Sequence, residues 1–362
     1  MSRLEMAGAV LLALSLAGLW IEPRMFLASW LAAWWWCLGL VLGCFINAWM
    51  HALTGGAWGH PIRAAAVLLA RRMPWLLLGL VPVAAGLAVL YPWAADPRGA
   101  WLDEISRPAF LKAWLSAPFF LARLVVYALV WWCLARAGSL ASKGRAAAAL
   151  VAYALVTSLA AVDLLMSLQP RWYSTAFGLI ALTAQALSGA ALAVLLTALG
   201  APGRWPSRAA AGVPLWRDLG NLLLMWVMTW AYVAFMQFLI IWAENLPREI
   251  AWYVPRLQTG WVCVAVALVL LQLVLPFLVL LFRSIKDRPR RLAGVAALML
   301  AASALDAAWT VLPSVDAHSL HGWWLAPLAF AGMSLLLFAG MPERLRRGAP
   351  EADSPRMEHA GP

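Results

Sequence analysis

The chain has 362 residues, of which 64% are hydrophobic and 12% charged, against the roughly even apolar share and quarter charged share of soluble domains. That excludes a soluble globular domain and points to an integral membrane protein. A net charge of +11 does not imply nucleic acid, because phosphate binding needs a basic patch on a folded surface, and these charges lie in short loops between apolar runs.

In chain order, ten apolar segments approach the ~20 residues that cross a bilayer: 4–21, 29–50, 74–93, 114–135, 146–168, 174–199, 219–243, 260–282, 291–312 and 322–340. The first is read as a retained span and not a leader, since Glu5 sits in the would-be basic region and no small-x-small site precedes Trp20. The expected fold is therefore all-α: a ten-helix transmembrane domain over 1–341, with four-helix bundles at 29–168 and 174–312 plus two peripheral helices. Residues 342–362 are charged, contain Pro and Gly, and lack an apolar period, which reads as a disordered cytoplasmic tail.

Counting Lys and Arg by side gives the orientation. With the amino terminus inside, the inner segments hold 19 and the outer ones 7, leaving Arg123 within a span. The positive-inside rule then places both termini in the cytoplasm. Trp34 to Trp36, Trp131, Trp132, Trp323 and Trp324 read as interfacial belts near span ends.

The polar residues inside the spans come next, because an ionisable group in hydrocarbon marks a functional site by default. Asp163 lies seven residues before Pro170 on an outward-running helix, about 10 Å below its outer end. Arg123, five residues after Pro118 on an inward-running helix, has a similar depth. The two are expected to pair, since each is less costly when it neutralises the other. The ninth segment repeats the pattern with Asp306 seven residues before Pro313, and Pro276-Phe277 echoes Pro118-Phe119, so the two bundles are expected to be related by a parallel repeat. Gln237 is at a depth that could serve Asp306, and Gln272 lies one turn before Pro276.

The candidate proton-path set is Asp163, Asp306, Arg123, Tyr153, Gln185, Gln237 and Gln272, with Glu244 at the outer edge. Arg171, Trp172 and Tyr173, in a tight outer turn, are candidate quinone contacts. Each has a plainer reading. Asp163 with Arg123 can be a helix clamp, which taken alone is the favoured reading of that pair. The glutamines can be interhelical hydrogen-bond partners, Tyr153 and the outer aromatics interfacial anchors, and Glu244 a solvated surface group.

Five histidines at span ends, in loops or in the tail (His51, His60, His318, His321, His359) argue against transmembrane haem ligation. Cys37, Cys44, Cys133 and Cys263 lie in apolar runs with no Cys-x-x-Cys pair, so no metal cluster or disulfide framework is expected. There is no Gly-rich phosphate loop and no nucleophile with a base at workable spacing.

Four stretches carry a resemblance. Asp163-Leu-Leu-Met-Ser-Leu-Gln-Pro-Arg-Trp-Tyr-Ser-Thr-Ala-Phe-Gly178 resembles the signature turn of the ActF-type membrane subunit of bacterial alternative complex III, a quinol:cytochrome c oxidoreductase. Ala117-Pro-Phe-Phe-Leu-Ala-Arg123 with Tyr127, Trp230 to Pro247 continuing through Glu249 to Tyr253, and Leu275 to Arg283 resemble the same family in the same order. The resemblance implies a polysulfide-reductase-type (NrfD-like) integral subunit built as two four-helix bundles, with no redox cofactor of its own. It implies a bacterial inner (plasma) membrane location and a respiratory electron-transport role in quinol oxidation and proton translocation. Implied partners are a paralogous NrfD-like subunit, multihaem cytochrome c and iron-sulfur subunits and membrane lipid, with no nucleic acid; quinone or menaquinone is a candidate ligand. The sequence departs from that pattern at Gln272 and Arg171, where the family would carry His. A purely structural anchor and a stand-alone secondary transporter are the alternatives.

Overall fold

The computed structural model describes residues 3–96, 100–102, 108–200, 215–317 and 322–339, and all regular elements among them are helices. The expected tail at 342–362, with His318, His321 and His359, lies outside the described residues. Eight described helices are long and apolar enough to cross a membrane, nine when a bent pair counts as one span. They are α1 (Arg3–Ile21), α2 (Pro23–Thr54), α4 (Ala117–Leu134), α5 (Lys143–Leu168), α6 (Phe177–Leu199), α7 (Leu215–Glu244), α8 (Trp261–Leu281) and α9 (Pro289–Val315). The bent pair Gly59–Ala70 and Met73–Ala85 is α3, and the shorter Leu325–Phe338 is α10. The two faces are called inner and outer after the charge count above.

The third span departs most from expectation. In place of one helix over 74–93, the chain forms Gly59–Ala70, turns by 54° and continues through the short helices Met73–Leu78, Val81–Ala85, Leu87–Leu90 and Pro92–Ala95. Pro74, Pro82 and Pro92 each remove a backbone donor, and Gly79 and Gly86 stand at the breaks. The indoles of Trp30 and Trp34 reach across from α2 to the carbonyls of Gly79 (2.8 Å) and Leu76 (2.6 Å). Trp34 and Trp131 are therefore core side chains, fully buried and 6.1 Å apart, and not the interfacial anchors their clustering suggested.

Helix α2 is the spine. Pro23 starts it, Gly55 at φ 78° ends it, and nearly every side chain from Met25 to Trp49 is buried. At 32 residues it is about 48 Å long, more than the ~30 Å hydrocarbon thickness. It packs on α6, α9 and α10, and α6 packs in turn on α9, α7 and α5. The α2–α6 crossing has backbone in contact with backbone: a Cβ on Gly43 would overlap the Gln185 carbonyl, and one on Gly189 would overlap Gly43 itself. Small residues at a crossing are how membrane helices gain close packing, since no hydrophobic force separates protein from lipid tails. Asn47 then ties three helices together, donating to Ala186 O (2.9 Å) and accepting from Trp226 Nε1 (2.7 Å).

Two other helices differ locally. Helix α8 widens into a π turn over Val269–Val274, with the Leu275 N–H on the Leu270 carbonyl, just ahead of Pro276, which has no N–H for the Gln272 carbonyl. Helix α9 runs through Pro313 to Val315 and does not stop before it. Pro313 cannot donate to the Trp309 carbonyl one turn back, and Arg256 Nε does so instead, at 3.2 Å.

Candidate functional site

The polar residues expected inside the membrane fall into four separate groups. The first surrounds Asp163, at the outer end of α5 just before the chain leaves helical geometry for a 3-10 turn at Met166–Leu168. Arg123 on α4 donates from Nε to Oδ2 at 2.6 Å and from its terminal nitrogen to Oδ1 at 3.2 Å. Tyr127, one turn further along α4, donates its hydroxyl to Oδ2 at 2.6 Å, and Trp114 Nε1 donates to Oδ1 at 2.9 Å. The expected Arg123–Asp163 pair is thus present, and it is saturated. The guanidinium also donates to Trp114 O and lies 4.1 Å from the Trp114 ring and 4.5 Å from that of Phe119. Five hydrogen bonds and two aromatic faces hold these charges where removing one would strand the other.

The second group surrounds Asp306, in the outer half of α9, and is the opposite in character. No described cation approaches its carboxylate within ion-pair distance. Gln272, fully buried on the π turn of α8, lies close enough to interact with it, yet neither amide atom of Gln272 makes a hydrogen bond of normal geometry. Asp306 lines a cavity of about 580 Å³ bounded by α6, α7, α8 and α9 and reaching α2 at Trp35, Trp36 and Gly39. Its walls are mostly apolar or aromatic, with Gln185, Ser188, Gln237, Tyr253, Ser303 and Thr310 the other side chains with a hydroxyl or amide. Gly39 makes room for one of these, since a Cβ there would press on the Gln185 stem.

The third group links α5 and α6. Tyr153 donates to Gln185 Oε1 at 2.8 Å and its ring lies 5.8 Å from that of Trp49, tilted by 55°, while Gln185 Nε2 has no hydrogen-bond partner. Tyr153 is fully buried, so it is not an interfacial anchor.

The fourth group lies at the outer mouth. The Gln237 amide is committed to Ser174 Oγ (2.7 Å) and Tyr253 OH (3.2 Å); no described hydrogen bond joins it to Asp306, the partner its depth suggested. Trp172 is buried, donates to Glu249 O at 2.9 Å and stacks on Trp252 at 5.2 Å. Its sequence neighbours point elsewhere: Arg171 and Tyr173 are exposed, and Arg171 reaches Trp101 O at 3.4 Å. The three candidate quinone contacts do not converge. Glu244 is exposed at the end of α7, apart from the inner groups.

Sequence reasoning missed several residues. Arg256, placed in an outer loop by position, is completely buried. It donates to the carbonyls of Trp252, Trp309 and Thr310 and to Ser314 Oγ, with its guanidinium 3.5 Å from the Trp252 ring. Burial pushes its pKa well down, and the four acceptors and the indole face compensate the lost hydration. The signal was Pro313, whose missing N–H leaves the Trp309 carbonyl to be satisfied. At the inner end Lys286 is buried beside Gly220 and donates to Asn221 Oδ1 at 2.6 Å. Burial, then the neighbouring Arg217 and Arg283, lower its pKa.

Among the described residues no cluster of three His, Cys, Asp or Glu side chains has the geometry of a metal site. No protein-family model matches the chain, and no curated protein matches it.

Proposed function

We propose that this chain is a membrane subunit of a quinol-oxidising respiratory complex, anchoring its partners and handling protons through Asp306. The observation that carries the reading is the pairing of opposites just described. One intramembrane carboxylate is neutralised on every side, and the other faces an internal cavity with only an amide beside it. A carboxyl group left without a fixed counter-charge inside a membrane bundle suits proton uptake and release, because its two protonation states are not tied to one partner. Asp163 and Arg123 take the clamp role, holding α4 on α5.

The complex itself is inferred from the resemblance to the ActF-type component of alternative complex III. Its four stretches run in family order, and they supply the Arg123–Asp163 pair with Tyr127 and the Gln237–Trp252 mouth, while the Gln272 turn lies just outside them. On this reading the chain lies in a bacterial plasma membrane with both termini cytoplasmic, beside a paralogous NrfD-like subunit and beneath multihaem cytochrome and iron-sulfur subunits. Quinol is oxidised in the paralogue and this subunit contributes the proton route. A secondary transporter is the second reading, favoured by the π turn and the cavity at mid-helix, features transporters place at substrate sites.

Purification of the tagged chain from its own membranes in mild detergent separates the two. Co-isolation with c-type haem absorbance in fixed ratio supports the respiratory subunit, and isolation of the chain alone from haem-containing membranes overturns it.

A further inference from the structure

The cavity has more features than a proton site needs. Among the described residues, seven buried side-chain polar atoms lack a hydrogen-bond partner. Five of the seven belong to Gln185, Trp230, Gln272 and Trp309, three of which line the cavity while Gln272 flanks Asp306. Native interiors leave few such atoms, so a concentration around one void marks a missing partner. Water alone is a poor one here, because a stable buried water needs several polar contacts at close range and these walls are overwhelmingly apolar.

The cavity also opens sideways. Helix α7 packs against the Leu275–Leu281 half of α8 and its π turn, and makes its weakest contact with the Trp261–Leu268 half. Phe235 on α7 and Val269 on α8 line the cavity and are at the same time 55% and 52% exposed on the outer surface of the bundle. The gap between them faces the lipid-contacting side of the bundle. A volume of about 580 Å³ falls within the ~300–1,000 Å³ of small-ligand sites. No Lys, Arg or His lines the cavity, so a phosphate head would find no counter-charge and would face Asp306.

We propose that this cavity binds an uncharged membrane amphiphile that enters between α7 and α8, its compact hydroxyl- or carbonyl-bearing head lodged against Asp306 and its tail in the lateral gap. The indole N–H groups of Trp230 and Trp309 and the Gln185 amide supply donors for the head oxygens, and Asp306 accepts from a hydroxyl. The aromatic walls of Trp252, Trp309 and Phe238 suit a flat head. The inference shares Asp306 with the functional reading above but concerns occupancy, and it holds whether or not protons cross.

The test uses the purified full chain, alone or in whatever complex it forms. Thermal unfolding is followed against three probes: decylubiquinone and monoolein, both uncharged, and dioleoylphosphatidylglycerol, which is anionic. At least one uncharged probe is expected to raise the midpoint saturably, and the stronger of the two identifies a ring or a glyceride head. Asp306→Asn, which keeps the shape but exchanges the acceptor, weakens that probe about fivefold or more, the worth of one or two hydrogen bonds. Ala234→Phe, which fills the space without removing a polar group, abolishes the shift. An equal response to the phosphatidylglycerol, or an uncharged-probe shift unchanged in both variants, overturns the proposal. Should Ala234→Phe fail to fold, Asp306→Asn and the probe series decide alone. Because the readout is binding, a negative result here leaves the proton reading standing, and loss of the proton reading leaves this one.

Discussion

Asp163 and Asp306 occupy matching sequence positions, each seven residues before a proline on an outward-running helix, and their surroundings share almost nothing. Asp163 accepts four hydrogen bonds from three side chains and is wholly enclosed. Asp306 faces a cavity with an unsatisfied amide beside it. The cause lies on the partner helix. Helix α4 presents Arg123 and Tyr127 one turn apart, on one face; α8 presents Gln272 on a turn distorted by Pro276. A carboxylate in a membrane bundle thus becomes a fixture or a free agent according to what the neighbouring helix offers. Its own sequence context does not say which.

The largest effect that can break this contrast is on stability. Asp163→Leu strands Arg123 in the bundle and is expected to cost about 3–5 kcal/mol, whereas adding Arg123→Met to the same chain recovers most of the loss. Thermal midpoints in detergent read both, and a single variant as stable as wild type would show that the cluster is not locked. Next, Gly189→Leu drives a side chain into the α2 backbone, with an expected cost of about 1–3 kcal/mol or more from overpacking; an unchanged midpoint would mean that the two helices do not cross in contact. Asp306→Asn, by contrast, is expected to stay within about 1 kcal/mol of wild type, because no ion pair is broken.

Smaller effects sharpen the picture. Gln272→His places an imidazole beside Asp306, with an ordinary pKa near 6.5; activity of the assembled complex should gain an inflection between about pH 6 and 7 that the parent lacks. Smallest of all is the inner-face link of Arg217 to Asp287, at 2.7 and 3.0 Å. Its Arg217 hydrogen bond holds the Asp287 carboxyl below the usual range. The sign follows: the contribution is present above the unfolded-state pKa of about 4 and fades as pH falls through the lower folded value. The pair is exposed, so the midpoint should drop only slightly more than in Asp287→Asn between pH 6 and pH 3.

The helical membrane architecture was legible in composition alone, because twenty-residue apolar runs have few other solutions. The Arg123–Asp163 pair was legible from depth, since both positions are fixed by rise per residue from a proline. Tyr127 was legible only as part of a family-like stretch, and Trp114 gave no signal: it opens the expected 114–135 segment, yet it ends a separate short helix, Pro108–Trp114. The broken third span escaped because its five proline and glycine breaks sit inside an unbroken apolar run, where hydropathy averages over them. The cavity was invisible for a deeper reason: it is a volume left between four helices, and no single helix encodes it. Arg256 shows the converse. Its burial follows from a carbonyl freed by Pro313 fifty-seven residues away, a requirement that appears only once the two segments meet.

On the proposed respiratory reading, the most direct measurement is the number of protons released per quinol oxidised by the assembled complex, compared between wild type and Asp306→Asn. The account expects Asp306→Asn to assemble normally, with a lowered proton yield or turnover. Unchanged proton yield and turnover in a fully assembled Asp306→Asn complex would contradict it, reducing both aspartates to fixtures of the fold.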